Sequence, residues 1–140
     1  MKILLAIDGS AYSRKMLDYV CSQRELFGPG HAYVLFNAQP PLPPHARSAL
    51  GAGVVQDYHA DEAKKVLEPA LAALSAHGLP AQTAWKIGPA GDTIASYARE
   101  GAFEMIIVGS HGHSSLARLV MGSVSTQVVA QCDVPVLLIR

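Results

Sequence analysis

The chain has 140 residues, half of them apolar and 16% charged, which argues for one globular domain with a real core and against disorder. Eleven Lys and Arg balance eleven Asp and Glu with no run of like charge, so nucleic acid or an anionic membrane is a poor main partner. No apolar run approaches the ~18 residues of a membrane span, and the apolar stretch before Asp8 is too short for a secretion signal, so a soluble cytoplasmic protein is expected.

The first apolar run, Ile3 to Ile7, reads as a strand. Ser10 can cap a following helix in which Ser13, Leu17, Val20 and Cys21 form one stripe, ended by Gly28-Pro29-Gly30. A second strand spans Ala32 to Phe36. The segment from Gln39 to Gly53, with four prolines, is expected to be a mobile surface loop. A helix from about Val55 to His77 points Ala63, Val66, Ala70 and Leu74 inward; Pro69 should kink or divide it, and Gly78 stops it. A third strand runs from Ala81 to Ile87 and a short helix from about Asp92 to Arg99. A fourth strand covers Met105 to Val108. The last helix, about Leu116 to Ala130, carries Leu116, Val120, Val124 and Val128 at i, i+4 spacing, and a fifth strand spans Val134 to Ile139. Strands alternating with helices predict a parallel sheet with right-handed crossovers, hence one doubly wound α/β domain. Cys21 and Cys132, far apart and in no CxxC arrangement, read as free thiols.

In such a sheet, ligands bind beyond the C-terminal strand ends where the strand order reverses. Strand one ends in Asp8-Gly9-Ser10 and strand four in Gly109-Ser110-His111-Gly112, so the two stretches meet in one crevice if these strands are neighbours. Glycine marks a sharp turn or a close approach. Gly109, Gly112 and Gly122, with Ser123 and Ser125, fit either a phosphate cradle of amides and hydroxyls or close contact with another part of the protein. No GxxxxGK[ST] or GxGxxG occurs.

The spacing Gly109-x2-Gly112-x9-Gly122-Ser123 resembles the G-2x-G-9x-G-S/T signature of the universal stress protein family, in its ATP-binding branch. The flanks resemble it too: ILLAIDGS is similar to the family's first strand, LFNAQPP to its second-strand exit, MIIVGSHGHSSLARLVMGSVS to its fourth strand and helix, and VPVLLIR to its last strand. The resemblance implies a five-stranded parallel sheet of order 3-2-1-4-5 with helices on both faces, a homodimer through the Val134 to Ile139 edge, and a site for ATP, ADP or AMP. It puts Asp8 near the ribose and Ala6 and Ile7 along the adenosine pocket. Ala38 stands where the family usually has a valine against adenine. Val108, Gly109, Ser110, His111 and Gly112 would supply the wall and backbone around ribose and phosphates. Gly122, Ser123, Val124 and Ser125 would close over the phosphate tail.

Other readings compete. His111 and His113 form an i, i+2 pair without further ligands, a poor transition-metal site; Mg²⁺ carried by phosphates, with Asp8 as its carboxylate, fits better. Asp8 also suits capping of the Ser10 turn. Ser123 near His111 lacks a G-x-S-x-G elbow. Trp85 and Tyr97 read as packing residues. With no lysine after Lys86 and only Arg118 inside the signature block, the site suits a regulatory nucleotide binder with at most slow ATP hydrolysis. A dimeric stress-response module of the same fold that binds no nucleotide is the alternative.

Overall fold

The computed structural model describes residues 1–112 and 121–140. Its elements run β1 (Lys2–Ala6), α1 (Ala11–Ser22), β2 (Ala32–Gln39), α2 (Pro44–Leu50), α3 (Ala52–Ala76), β3 (Ala81–Ile87), α4 (Ala90–Glu100), β4 (Met105–Gly109), α5 (Ser123–Gln131) and β5 (Val136–Ile139). All five strands pair in parallel in the order β3-β2-β1-β4-β5.

Alternation along β1 explains the three layers. Ile3, Leu5 and Ile7 pack on one face with Met16, Leu17 and Val20 of α1 and Ala63, Leu67 and Leu74 of α3. Leu4 and Ala6 pack on the other with Ile94 and Ala98 of α4 and Val128 of α5. A strand covered on both faces is apolar at successive positions, as β1 is. Among the described residues no helix is long and apolar enough to cross a membrane. Neither cysteine is bridged. Burial, with Asp18 nearby, pushes the Cys21 thiol up and keeps it protonated.

Local chemistry sets the helix ends. Ser10 caps α1, its hydroxyl accepting the Ser13 amide at 3.3 Å. At the end of α3, Gly78 lies in the left-handed region at φ +74°, its amide bonds to the Ser75 carbonyl, and Leu79 bonds back to the Leu74 carbonyl. This is a Schellman ending, and Leu74 and Leu79 share the core cluster beneath it.

The structure departs from the sequence reading in three places. The Gln39 to Gly53 segment is largely regular: Gln39 still belongs to β2, residues 44–50 form α2, and α3 begins at Ala52. Two of its prolines start a helix instead of preventing one. Pro43 is extended, as a residue before proline prefers to be, and Pro44 occupies the first turn, where no N–H is needed. Gly51, at φ +80°, separates α2 from α3. Pro69, second, does not divide α3, which runs 25 residues through it. Third, the last helix starts at Ser123. Gly122 is extended, and its amide goes to the Ser110 carbonyl at 2.6 Å, which stops the helix from continuing backward through it. Leu116 and Val120, expected on that helix, lie outside the described residues.

One glycine fixes how α1 sits over the sheet. A Cβ on Gly109, at the end of β4, would stand 2.9 Å from Tyr12 Cβ and 3.1 Å from the Tyr12 backbone, closer than atoms can pack. The first turn of α1 therefore rests directly on the β4 exit. Gly109→Ala should destabilise the ligand-free protein by about 1–3 kcal/mol, an overpacking cost. Gly30→Ala, where a Cβ meets nothing within 4 Å, should stay within about 0.5 kcal/mol of wild type. Urea denaturation of the two variants measures the difference.

Candidate functional site: the crevice between the first and fourth strands

Because β1 pairs with β2 on one side and β4 on the other, the chain leaves the strand ends in opposite directions and a crevice opens above them. A cavity of about 490 Å³ occupies it, within the size range of small-molecule sites. Of the residues named from sequence, Ala6, Ile7, Asp8, Ala38, Val108, Gly109, His111, Gly112, Gly122, Ser123, Val124 and Ser125 all line this one cavity. Ser110 does not; it is buried behind the wall. His113 and Arg118 lie outside the described residues.

The β1 exit is organised around Asp8. Its Oδ1 accepts from the Ser10 amide at 2.9 Å and from the Ser13 hydroxyl at 2.8 Å, while that hydroxyl accepts the Asp8 amide at 2.9 Å. Asp8 thus serves the turn that opens α1, as one reading of the sequence held, and also faces the cavity. Its Oδ2 lies 2.7 Å from where a Cβ on Gly112 would stand, so the carboxylate occupies space that any side chain at 112 would need.

The β2 exit is tied to the β1 exit by buried polar bonds. Asn37 Nδ2 donates to the Ile7 carbonyl at 2.9 Å, Gln39 Nε2 donates to Asn37 Oδ1 at 2.6 Å, and Gln39 Oε1 meets His59 Nδ1 of α3 at 3.2 Å. Gln39 Oε1 can only accept, so with this amide orientation the His59 proton sits on Nδ1. His59 Nε2 is buried with no hydrogen-bond partner.

On the far side, the β4 exit and α5 hold each other. The Ser110 carbonyl accepts both the Gly122 amide and, at 3.0 Å, the Ser125 hydroxyl. A Cβ on Gly122 would lie 3.1 Å from His111 Cα and 3.2 Å from the Ser110 carbonyl oxygen. The Ser125 hydroxyl, expected to face a phosphate, is buried and points its proton at protein. Gly122 stands at the N-cap of α5 with no side chain to cap the helix, and Ser123 and Val124, its first residues, line the cavity. His111 lies against Tyr12, ring centroids 4.9 Å apart, with Nδ1 2.9 Å from Ser110 Oγ.

Asp8 is the only Asp, Glu, Lys or Arg among the described lining residues, and no group of three metal-ligating side chains converges among the described residues. Ala38, Pro40, Ala90 and Ile94 give the cavity an apolar part of its wall. Ser13, Pro40, Ala90 and Ile94 were not named from sequence. Ser13 signalled itself only as a helix residue, and nothing in the spacing of Ala90 or Ile94 ties α4 to the crevice. Trp85 packs against the core from the β3 edge, and Tyr97 stacks on Phe36 at 4.3 Å; neither lines the cavity.

Comparison with known proteins agrees with this fold. The chain is 30% identical over 139 residues to universal stress protein Slr1230 of Synechocystis sp., an alignment covering 99% of this chain and 42% of that protein. It is 29% identical to universal stress protein YxiE of Bacillus subtilis, covering 99% of this chain and 98% of that one. The chain thus spans less than half of Slr1230 and nearly all of YxiE. Among solved structures, UspA from Lactobacillus plantarum superposes with a TM-score of 0.82 at 19% identity, covering 100% of this chain and 97% of that one. The universal stress protein from Archaeoglobus fulgidus in complex with dAMP gives a TM-score of 0.68 at 21% identity, covering 100% and 98%. Further structures of this fold carry cAMP or AMP. The family profile matches residues 1–140, and the chain belongs to the universal stress protein family.

Proposed function

We propose that the crevice binds an adenine nucleotide, ATP or its product ADP or AMP, and that the protein acts as a regulatory stress-response module whose signal is nucleotide occupancy. The observation that carries this reading is the single cavity that unites the β1 exit, the β4 exit and the uncapped start of α5 with an apolar wall from Ala38, Pro40, Ala90 and Ile94. The start of a helix favours an anion through its unpaired amides and dipole. The phosphates therefore belong at Ser123 and Val124, and the base belongs against the apolar wall of Ala38, Pro40, Ala90 and Ile94. In this reading Asp8, at the β1 exit, is the residue for the ribose. Amide and hydroxyl bonds to a charged phosphate are worth about 1.5–3 kcal/mol each, so binding needs no lysine. Asp8 is also the carboxylate available to Mg²⁺, which takes one or two carboxylates together with phosphate oxygens.

The contacts of the three signature glycines favour a second reading. Each would place a Cβ against protein atoms, so the signature spacing has a packing reason without any ligand. A dimeric interaction module that binds no nucleotide accounts for the same glycines. Ligand titration separates the two readings. Mg-ATP at about 100 times its dissociation constant should stabilise the protein by about 2.7 kcal/mol, a melting shift of several degrees. A variant at a signature glycine disturbs the β4 exit itself, so Ala38→Phe, which crowds the apolar wall, is the better probe. It should abolish the shift while leaving the ligand-free melting point within a few degrees. No shift with Mg-ATP, ADP or AMP at millimolar concentration would leave the interaction module standing.

Catalysis by such a site is weak. Neutral amides hold ground state and transition state about equally, and no described lining residue is a lysine or arginine that could meet the developing charge. Phosphate release from ATP should proceed far below the ~1–100 s⁻¹ of kinases. A turnover near 1 s⁻¹ that disappears in Asp8→Asn would make the protein an enzyme.

Assembly is the remaining part of the proposal. β5 closes one edge of the sheet, and Val136, Leu137, Leu138 and Ile139 are all only half-buried. An apolar edge strand invites pairing with a second copy across a two-fold axis. Light scattering at high micromolar concentration should report a dimer, and a monomer would contradict it.

A further inference from the structure

Asn37, Gln39 and His59 are buried together at the β2 exit, and the Ile7 carbonyl sets the order of their bonds. A carbonyl only accepts, so Asn37 turns its Nδ2 to Ile7 at 2.9 Å. Its Oδ1 then needs a donor, which Gln39 Nε2 supplies at 2.6 Å. Gln39 Oε1 is left to accept from His59, whose Nε2 ends the chain buried and without a partner. A buried network with one unsatisfied atom is less favourable than apolar side chains of the same shape. Packing alone does not account for these three residues.

The sheet shows what the chain achieves. Even-numbered residues of β2 turn their backbone toward β1: the Ala32 amide goes to the Met1 carbonyl, and the Phe36 carbonyl takes the Ile7 amide. The next step of a parallel ladder would join the Ala38 amide to the Ile7 carbonyl and the Gly9 amide to the Ala38 carbonyl. Neither bond forms among the described residues. Asn37 Nδ2 holds the Ile7 carbonyl, and the chain turns away at Gly9, φ +79°, to enter α1. On the other side, β3 bonds to odd-numbered residues, as the Gly88 amide does to the Gln39 carbonyl at 2.9 Å. The N–H and C=O of Ala38 therefore face the crevice, which Ala38 lines together with Ile7 and Asp8.

We propose that Asn37, held by Gln39 and His59, is a positioning residue for base selection. By occupying the Ile7 carbonyl it keeps the Ala38 N–H and C=O open, side by side, as a donor and an acceptor for the edge of the base. The inference rests on the nucleotide reading and adds to it a reason for adenine. Adenine carries an amino donor beside a ring nitrogen that accepts, whereas hypoxanthine and guanine carry a carbonyl beside a ring N–H. With the phosphates at the start of α5 and the ribose at Asp8, the base meets this edge in one orientation. The amino group then faces the Ala38 carbonyl and the ring nitrogen faces the Ala38 N–H. A base of the opposite order sets carbonyl against carbonyl and N–H against N–H.

AMP and IMP, which differ only along that edge, are the probes. Calorimetric titration of the wild type should favour AMP on the order of tenfold to a hundredfold, the discrimination of one two-bonded pair. In Asn37→Leu the freed Ile7 carbonyl captures the Ala38 amide, and the AMP-to-IMP affinity ratio should fall to near one. The triple variant Asn37→Leu/Gln39→Leu/His59→Phe strands no partner, so it should fold and show the same fall. Hydrogen exchange tests the wild type directly. Without ligand the Ala38 amide should exchange fast beside a protected Gly88 amide, and AMP but not IMP should slow it. Equal affinity for AMP and IMP in the wild type would overturn the proposal while leaving nucleotide binding intact. So would selectivity retained in the variants, or an Ala38 amide already protected in the ligand-free protein. Failure of both nucleotides to bind at millimolar concentration would overturn the nucleotide reading, and this inference with it.

Discussion

β1 lies at the centre of the sheet, hydrogen-bonded to β2 along one edge and to β4 along the other, and the rest of the molecule is arranged around that double pairing. Both its faces must be apolar because both are covered, and both neighbours must run parallel to it because each is reached by a helical crossover. The strand ends then lie side by side while the connections diverge, to α1 from β1 and toward α5 from β4. The crevice follows from this topology before any particular side chain is chosen. What the side chains decide is its shape and charge.

That shape depends on close contacts between the segments that leave the strands. Tyr12 rests on Gly109, Asp8 fills the space beside Gly112, and the backbone at Ser110 and His111 crowds Gly122. Behind them, the bonds from Ile7 through Asn37 and Gln39 to His59 tie the ends of β1 and β2 to α3. Each interaction holds a loop that would otherwise wander, and together they set the shape of the cavity.

Much of this was legible in the sequence because periodicity and strand ends are local signals. The apolar runs marked every strand, the Ser10 cap marked α1, and Gly78 marked the end of α3. The crevice residues were found because the strand exits carry turn-forming and small residues at fixed spacing. Less was legible where a residue's meaning depends on distant neighbours. Pro43 and Pro44 looked like loop residues, yet Pro44 starts a helix. The glycine at 122 looked internal to a helix, but its amide is captured by Ser110. Ala90 and Ile94 reach the cavity only because α4 packs over β2 and against α5, which no spacing within α4 reveals. Ser125 was expected to turn its hydroxyl toward a phosphate, and a carbonyl fifteen residues earlier holds it instead.

The central claim is that the space between the β1 and β4 exits is where a nucleotide sits. The most direct measurement is a crystal structure of the chain grown with millimolar Mg-ATP. The account predicts density for the nucleotide in the crevice, with the base against Ala38 and Ile94, the ribose beside Asp8 and the phosphates at the amides of Ser123 and Val124. Nucleotide bound anywhere else on the molecule, or a crevice empty in crystals of that composition, would contradict it.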